Sequence, residues 1–328
     1  MLAVGPNGAG KTNLLEAVHL ATQGFSPRTR ADAQIVRFGA AAARIALQGS
    51  RGGVGFEAEV VIRPGEGKRA KLNGAPLRTA EQLRGELPTL VFTPDRLVVV
   101  KGSPAARRAY FDRSLARLLP ARAAVPLEYA AAIGQRNAAL RRVAGRLSTA
   151  AALAPWTAQV AELGAALVAA RTEAIAVLGA AFATKAAALG VPAGRLAYTG
   201  RAASVAELDA RLSRDLERGS TGAGPHLDDV GIFSGERDLR SFGSQGEQRL
   251  AVLALLLAEA EALVDRRCGP PLLLFDDVLS ELDGLRREAL VALLPVGGQT
   301  LMTSTAADAL AVEPDQLLVV GPGTVREQ

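Results

Sequence analysis

The sequence has a single cysteine, Cys268, which excludes an internal disulfide framework and any CxxC-type metal site. No uninterrupted apolar run approaches the roughly 20 residues that a membrane-spanning helix needs. The first residues, Met1-Leu2-Ala3-Val4-Gly5, carry neither a basic region nor a cleavage site, so nothing points to secretion. No internal repeat and no long disordered tract is visible. The expectation is a cytoplasmic protein with no membrane partner. Lysine is scarce beside arginine and alanine is abundant, a bias that a GC-rich genome produces by itself. The formal charge of +5 is compatible with a polyanionic partner without requiring one.

At 328 residues the chain can bury the core of one large domain or two ordinary ones. Residues 1–24 read as a strand end, a glycine loop and a helix. Between 35 and 75, apolar and polar positions alternate (Ala43 to Leu47, Phe56 to Ile62), which predicts strands joined by turns at Arg51-Gly52-Gly53 and Asn73-Gly74. From 104 to 218 alanine, leucine and arginine dominate and apolar residues recur at helical spacing, as at Val160, Leu163, Leu167 and Ile175. A break is expected at Leu189-Gly190-Val191-Pro192. From 227 strands alternate with helices again, which implies a parallel sheet. The expected fold class is therefore α/β, with residues 1–103 and 219–328 as the two parts of a core and 104–218 as an inserted, mainly helical lobe.

Gly5-Pro6-Asn7-Gly8-Ala9-Gly10-Lys11-Thr12 fits G-x-x-x-x-G-K-[ST]. Glycines let successive N–H groups converge on phosphate oxygens, and a following helix adds its positive end. Leu14, Leu15, Val18 and Ala21 supply the buried face of that helix. Lys11 is expected at the β and γ phosphates and the Thr12 hydroxyl on Mg²⁺. Only Met1 to Val4 precede the loop, where such a fold ordinarily supplies a full strand, so a truncated chain or a start downstream of the true one is expected.

Pro271-Leu272-Leu273-Leu274-Phe275-Asp276-Asp277 is a short apolar run ending in two carboxylates, which suits a central strand buried on both faces. Acids at its C-terminal end stand where open α/β sheets bind ligands. Asp276 is expected to hold the metal and Asp277 to orient or deprotonate an attacking water. Upstream, Ser244-Gln245-Gly246-Glu247-Gln248 combines a capping box, Ser244 with Glu247, and a helix N-terminus able to grip a γ phosphate. Since Lys11 already takes one side of the nucleotide, a second grip suggests a subunit interface.

Together these stretches, with Ser280-Glu281-Leu282-Asp283, resemble the Walker A, signature, Walker B and D-loop elements of ABC-type ATPases. In that superfamily the signature of one subunit completes the ATP site of the other. The long interval between Lys11 and Ser244, holding a compact helical lobe, resembles the RecF family of bacterial recombination mediators. Val36-Arg37-Phe38-Gly39, Phe92-Thr93-Pro94-Asp95, the stretch Gly102 to Arg108, Gly224-Pro225-His226-Leu227-Asp228-Asp229 and Phe275 to Asp283 match that family in order. The resemblance implies an ABC-type P-loop head that binds ATP and Mg²⁺ and closes as an ATP-dependent homodimer. It also implies DNA binding at gaps, single-strand/double-strand junctions or stalled replication sites, cooperation with RecR and RecO type proteins in loading the recombinase, and a link to SOS induction. Ser244 to Gln248 would contact ATP in trans, and Ser280 and Asp283 would form the D-loop. An aspartate at 277, one methylene shorter than the glutamate of transporter ATPases, fits slow, switch-like hydrolysis. The usual switch histidine is replaced by hydroxyls in Thr300 to Thr305. The N-terminal strands that usually carry nucleotide-base contacts are missing. Two other classes stay open: a transporter-like ATPase subunit and a hydrolysis-impaired, ATP-sensing scaffold.

Other residues have plainer readings. His226 either touches nucleotide or a partner, or orders its loop; His19 reads as structural, Trp156 as lobe packing and Cys268 as an inert thiol. Arginine pairs at 107–108, 141–142, 266–267 and 286–287 are each compatible with DNA phosphates or with a solvated face. Of these, Arg141, Arg142 and Arg146, which could share one helical face, are the set favoured for contact with DNA phosphates, although a solvated face is the commoner role of any single pair.

Overall fold

The computed structural model describes residues 1–29, 31–85, 87–266, 269–310 and 312–328; Arg267 and Cys268, singled out above, lie outside them. In chain order the elements begin with β1 (Leu2–Val4), α1 (Lys11–Gln23), β2 (Ala43–Arg51), β3 (Val54–Arg63), β4 (Gly67–Leu72), β5 (Ala75–Pro76) and β6 (Thr89–Phe92). Then follow α2 (Val98–Lys101), α3 (Pro104–Leu118), α4 (Val125–Ala144), α5 (Ala154–Ala188), β7 (Gly194–Tyr198), α6 (Val205–Ala210) and α7 (Leu212–Arg218). The chain continues through β8 (Val230–Ser234), β9 (Arg237–Asp238), α8 (Leu239–Phe242), α9 (Gln245–Asp265), β10 (Leu272–Phe275), α10 (Gly284–Ala292), β11 (Thr300–Ser304), β12 (Leu317–Gly321) and β13 (Thr324–Glu327). Two compact units result: Met1–Arg96 with Leu263–Gln328, and Leu97–Ala262. Compactness thus groups the Ser244 segment with the helices, whereas composition divides the chain at 103 and 218.

The first unit is built on a sheet of order β13-β12-β1-β11-β10-β6, parallel except for the β12–β13 hairpin. β6 and β10 are buried along their whole length, as unbroken apolar strands inside a parallel sheet must be. β1 is only three residues long yet central, paired with β11 on one side and β12 on the other. Leu15 on α1 packs with Ala3, Val91, Leu274, Leu301 and Val320. Burial of such side chains stabilises by about 1.5–3 kcal/mol each. A second sheet, β2-β3-β4-β5, is antiparallel, and its turns fall where the glycine signals predict: Gly52 and Gly53, and Asn73 and Gly74, all have positive φ. That is the twist-matched two-residue hairpin, which needs left-handed backbone at both central positions. α1 stops at Gly24, whose φ of 74° and approach to the Ala80 carbonyl leave no room for a Cβ.

The second unit is mainly helical. By length and composition alone, the helical stretch Ala150–Ala188 could cross a membrane, although no apolar run in the sequence suggests it. It reads otherwise in place. Val160 and Leu167 pack with Tyr129, Ala132 and Leu208, and Arg171 is buried against Asp112, with Nε to Oδ1 at 2.8 Å and Nη2 to Oδ2 at 2.9 Å. α5 ends at Ala188, at the break read from Leu189-Gly190-Val191-Pro192. The parallel pattern expected from 227 starts only at β10. β8 instead joins a small antiparallel sheet, β7-β8-β9, because a turn at Gly235 (φ 59°) sends β9 straight back. The expectation that Arg141, Arg142 and Arg146 share a helix face also fails: α4 ends at Ala144, and Arg146 follows in left-handed conformation, φ 58°.

Candidate nucleotide site

The site forms where β1, β10 and β11 end at their C-termini, the edge at which parallel sheets bind ligands. The loop from Gly5 to Gly10 takes positive φ at Gly8 (81°) and Gly10 (107°), so the chain curls before α1 begins. Gly5 is needed for a different reason: a Cβ there would lie 2.3 Å from the Val320 carbonyl oxygen. The first helical bond runs from Leu14 N to Gly10 O at 3.0 Å, so the N–H groups of Lys11, Thr12 and Asn13 have no intrahelical acceptor. They form an anion-binding concavity at the positive end of a 13-residue helix. The Lys11 ammonium is nearly buried and donates to Gly5 O at 2.7 Å and Pro6 O at 3.0 Å, which holds it over the loop.

The acids are connected to this loop by a chain of hydrogen bonds. Thr12 Oγ1 donates to Asp276 Oδ1 at 3.0 Å, and Thr303 Oγ1, fully buried on β11, donates to the same oxygen at 2.9 Å. Thr303 Oγ1 accepts in turn from Asp277 N at 2.9 Å. One hydroxyl therefore orients both carboxylate-bearing residues. Asp277 itself is in left-handed conformation, φ 51°, and its Oδ1 is buried without a hydrogen-bond partner. A buried carboxylate oxygen left unpaired costs free energy unless a ligand or water completes it. A left-handed backbone and an orphaned acceptor thus fall on one residue, an arrangement that a ligand or water at Oδ1 would complete. Among the described residues no three His, Cys, Asp or Glu side chains cluster as metal ligands. A hydroxyl and one carboxylate side by side are instead the sparse protein ligand set that Mg²⁺ accepts when phosphates and water complete its shell.

Beyond the loop a cleft of about 1170 Å³ opens, lined by Gly8, Gly10 and Asn13 and by Arg28, Gln34, Arg37, Phe38, Asp95 and Pro322. This exceeds the roughly 300–1,000 Å³ of ordinary ligand pockets and is ample for a nucleotide. The sequence reading assigns none of these outer residues. Arg28 and Gln34 carry no motif; Phe38 and Asp95 appear only within segments of family resemblance. Arg28 is held by Glu16 Oε2 at 3.3 Å.

The other expected residues divide. Ser280 Oγ donates to the Asp277 carbonyl at 2.9 Å, and Asp283 caps α10 through Arg286 N at 2.9 Å. Both are exposed. In the second unit the capping box is present, with Ser244 N to Glu247 Oε2 at 2.8 Å and Glu247 N to Ser244 Oγ at 3.2 Å. Ser244, Gln245 and Gly246 are exposed at the start of α9. Glu247 is held by the Ser244 N–H and by Arg237, and these partners lower its pKa below the ordinary value. Gln248 belongs to the same stretch and faces inward. Its side chain is buried and donates to Leu239 O at 2.8 Å and Gly243 O at 3.2 Å, bracing the turn before the helix.

His226 orders its loop. Its Nδ1 lies 2.8 Å from Tyr129 Oη and its Nε2 3.0 Å from Thr221 O, and burial lowers its pKa, keeping the ring neutral. His19 is buried edge-on against Phe25, with Nδ1 2.9 Å from the Phe25 carbonyl.

A sequence model of the RecF/RecN/SMC N terminal domain matches residues 1–321. The chain is 36% identical to the DNA replication and repair protein RecF of Heliobacterium modesticaldum, covering 96% of this chain and 88% of that protein. It is 38% identical to the protein of the same name from Anaeromyxobacter dehalogenans, covering 98% and 88%. The chain belongs to the RecF family. Among solved structures, the recombination mediator protein RecF with ATP, of the RecFOR pathway, superposes with a TM-score of 0.87 at 27% identity, covering all of this chain and 91% of that one. An Smc head bound to the C-winged helix domain of ScpA shares the fold, with a TM-score of 0.59 at 16% identity over 100% of this chain and 88% of that one. The fold is thus an ABC-type ATPase head with a mainly helical lobe, and the Gly5–Thr12 loop and paired acids stand in a RecF-family frame.

Proposed function

We propose that this chain is an ATP-switched, DNA-binding recombination mediator of the cytoplasm. Its ATP-bound form would be a homodimer on gapped or stalled-replication DNA, assisting RecR and RecO type proteins in loading the recombinase and feeding SOS induction. One observation carries the reading. Within a RecF-family chain, Thr12, Asp276, Thr303 and Asp277 form a continuous hydrogen-bonded line beneath an anion-binding helix N-terminus. Thr12 and Asp276 would hold Mg²⁺, which when bound supplies positive charge at the phosphate oxygens. Lys11 would exchange its loop carbonyls for β and γ phosphate oxygens, and the N–H groups of the Gly8 to Thr12 stretch would hold the remainder. Asp277, aimed by its strained backbone, would orient the attacking water and accept its proton. The outer cleft, with Phe38, Arg28 and Asp95 on its walls, would take ribose and base. Ser244, Gln245 and Gly246 would grip the γ phosphate of the partner's nucleotide, and Ser280 and Asp283 would form the D-loop. Hydrolysis, slow with an aspartate at 277, would release the clamp.

Molar mass by light scattering, with and without ATP and Mg²⁺, tests this. A shift from monomer to dimer is expected for wild type, and none for Lys11→Met. Ser244→Arg should bind ATP normally yet remain monomeric. A Ser244→Arg chain that dimerises as wild type does would remove the shared-site mechanism.

A further inference from the structure

The second unit matches its interior arginines to acids with care. Arg107 meets Asp229, Arg117 meets Glu259, Arg136 meets Asp215 and Arg171 meets Asp112. Five exposed arginines at one corner, Arg141, Arg142, Arg146, Arg214 and Arg218, have no ion pair among the described residues, and of these Arg141 is tied down by a hydrogen bond to the Gly219 carbonyl. The corner is defined by contacts. Arg141 Nη1 donates to Gly219 O at 3.4 Å, and Thr221 N donates to Asn137 Oδ1 at 2.7 Å, which brings the C-terminal ends of α4 and α7 together. Arg142 is in the last turn of α4 and Arg218 ends α7. Just before α7, the buried Nε of Arg211 has no hydrogen-bond partner.

Helix-dipole stabilisation explains one arginine per helix end. It does not explain Arg146, which lies past the end of α4 with φ 58°, or Arg214, near the start of α7. Residues 141–147 and 212–219 hold one exposed acid, Glu217, against five exposed arginines, which leaves the corner positive. Residues 141–147 and 212–219 contain no aromatic anchor of the kind that dominates protein interfaces, and Leu147 is the exposed apolar side chain they offer. Exposed guanidinium groups without an ion pair or an apolar centre fit a polyanionic backbone rather than a folded protein. We infer that the α4–α7 corner is a sequence-independent contact surface for the phosphates of DNA. The inference rests on the DNA-binding function proposed above and names where the lobe takes part in it.

The test is the salt dependence of binding of the full chain to a fluorescent duplex with a single-stranded gap, in ATP and Mg²⁺. Each phosphate contact contributes about 0.9 to the slope of log K against log salt. Replacing Arg142, Arg146, Arg214 and Arg218 together by alanine should lower that slope by about 3–4 and weaken binding at low salt by about 10²-fold or more. The same four positions changed to lysine should keep most of the slope, and neither variant should alter nucleotide affinity. A wild-type slope in a folded tetra-alanine variant overturns the proposal, and so does loss of mediator-protein binding with the DNA slope intact. A wild-type chain that shows no salt-dependent DNA binding would instead sink the proposed function itself, and this surface with it.

Discussion

Thr303→Val keeps the volume of a fully buried side chain and removes one oxygen, so no cavity is made. That oxygen donates to Asp276 Oδ1 at 2.9 Å and accepts from Asp277 N at 2.9 Å. The first bond is to a carboxylate, a class worth about 1.5–3 kcal/mol, and the second, once broken, leaves a backbone N–H to bear about 1–3 kcal/mol of desolvation. Allowing for partial relaxation, the variant should lose about 2–4 kcal/mol of unfolding free energy. Urea unfolding should show this as a lower midpoint with an unchanged slope. ATP turnover should fall by roughly tenfold or more, since about 1.4 kcal/mol of misplacement at Asp277 suffices for that factor. Nucleotide affinity measured without Mg²⁺ should change little, because Lys11 and the loop amides are untouched. Thr303→Ser, which restores the hydroxyl, should recover both quantities. The hydrogen-bond line would be refuted as an organising element if Thr303→Val unfolds within about 0.5 kcal/mol of wild type and turns over ATP at the wild-type rate.

In the second unit, Arg136→Met leaves Asp215 buried and without its cation, which should cost about 3–5 kcal/mol. The double variant with Asp215→Leu should recover part of that loss, giving a coupling of about 1–3 kcal/mol, and strictly additive losses would contradict the pairing. His226 carries a pH signature. Burial lowers its pKa below the usual 6.5, so the unfolded chain binds a proton that the folded chain resists. Its contribution is therefore present above about pH 6.5 and declines as pH falls from there through the lowered folded value, with a slope of up to about 1.4 kcal/mol per pH unit. His226→Gln should flatten that acid slope of the unfolding free energy; an unchanged slope would mean that the loop does not hold the ring neutral.

Much of the site is local chemistry and could be read directly. Gly5 to Thr12 needs positive φ at Gly8 and Gly10 and a helix just after, and both requirements are written in consecutive residues. The unbroken apolar run before Asp276 likewise identifies a strand buried on both faces. The turns at Gly52-Gly53 and Asn73-Gly74 follow from residues that alone tolerate left-handed backbone in pairs. Gln248 shows the opposite case. A glutamine beside a signature serine has the same composition whether its amide faces a ligand or its own turn, and the carbonyls of Leu239 and Gly243 determine which.

The sequence by itself determined the chemistry of the phosphate loop, the paired acids and the alternation of strands and helices, because each depends on neighbours within a few residues. Only tertiary structure decided which arginines are free. Arg107 and Arg142 look alike in a sequence, yet one is buried against Asp229, more than a hundred positions away, and the other stands in solvent. Nor could sequence show that Thr303 would bridge Asp276 and Asp277, or that β8 would leave the parallel pattern for a small antiparallel sheet. Ion pairing and strand pairing between distant segments depend on where the chain returns in space. Short-range periodicity and motif spacing carry no record of that return.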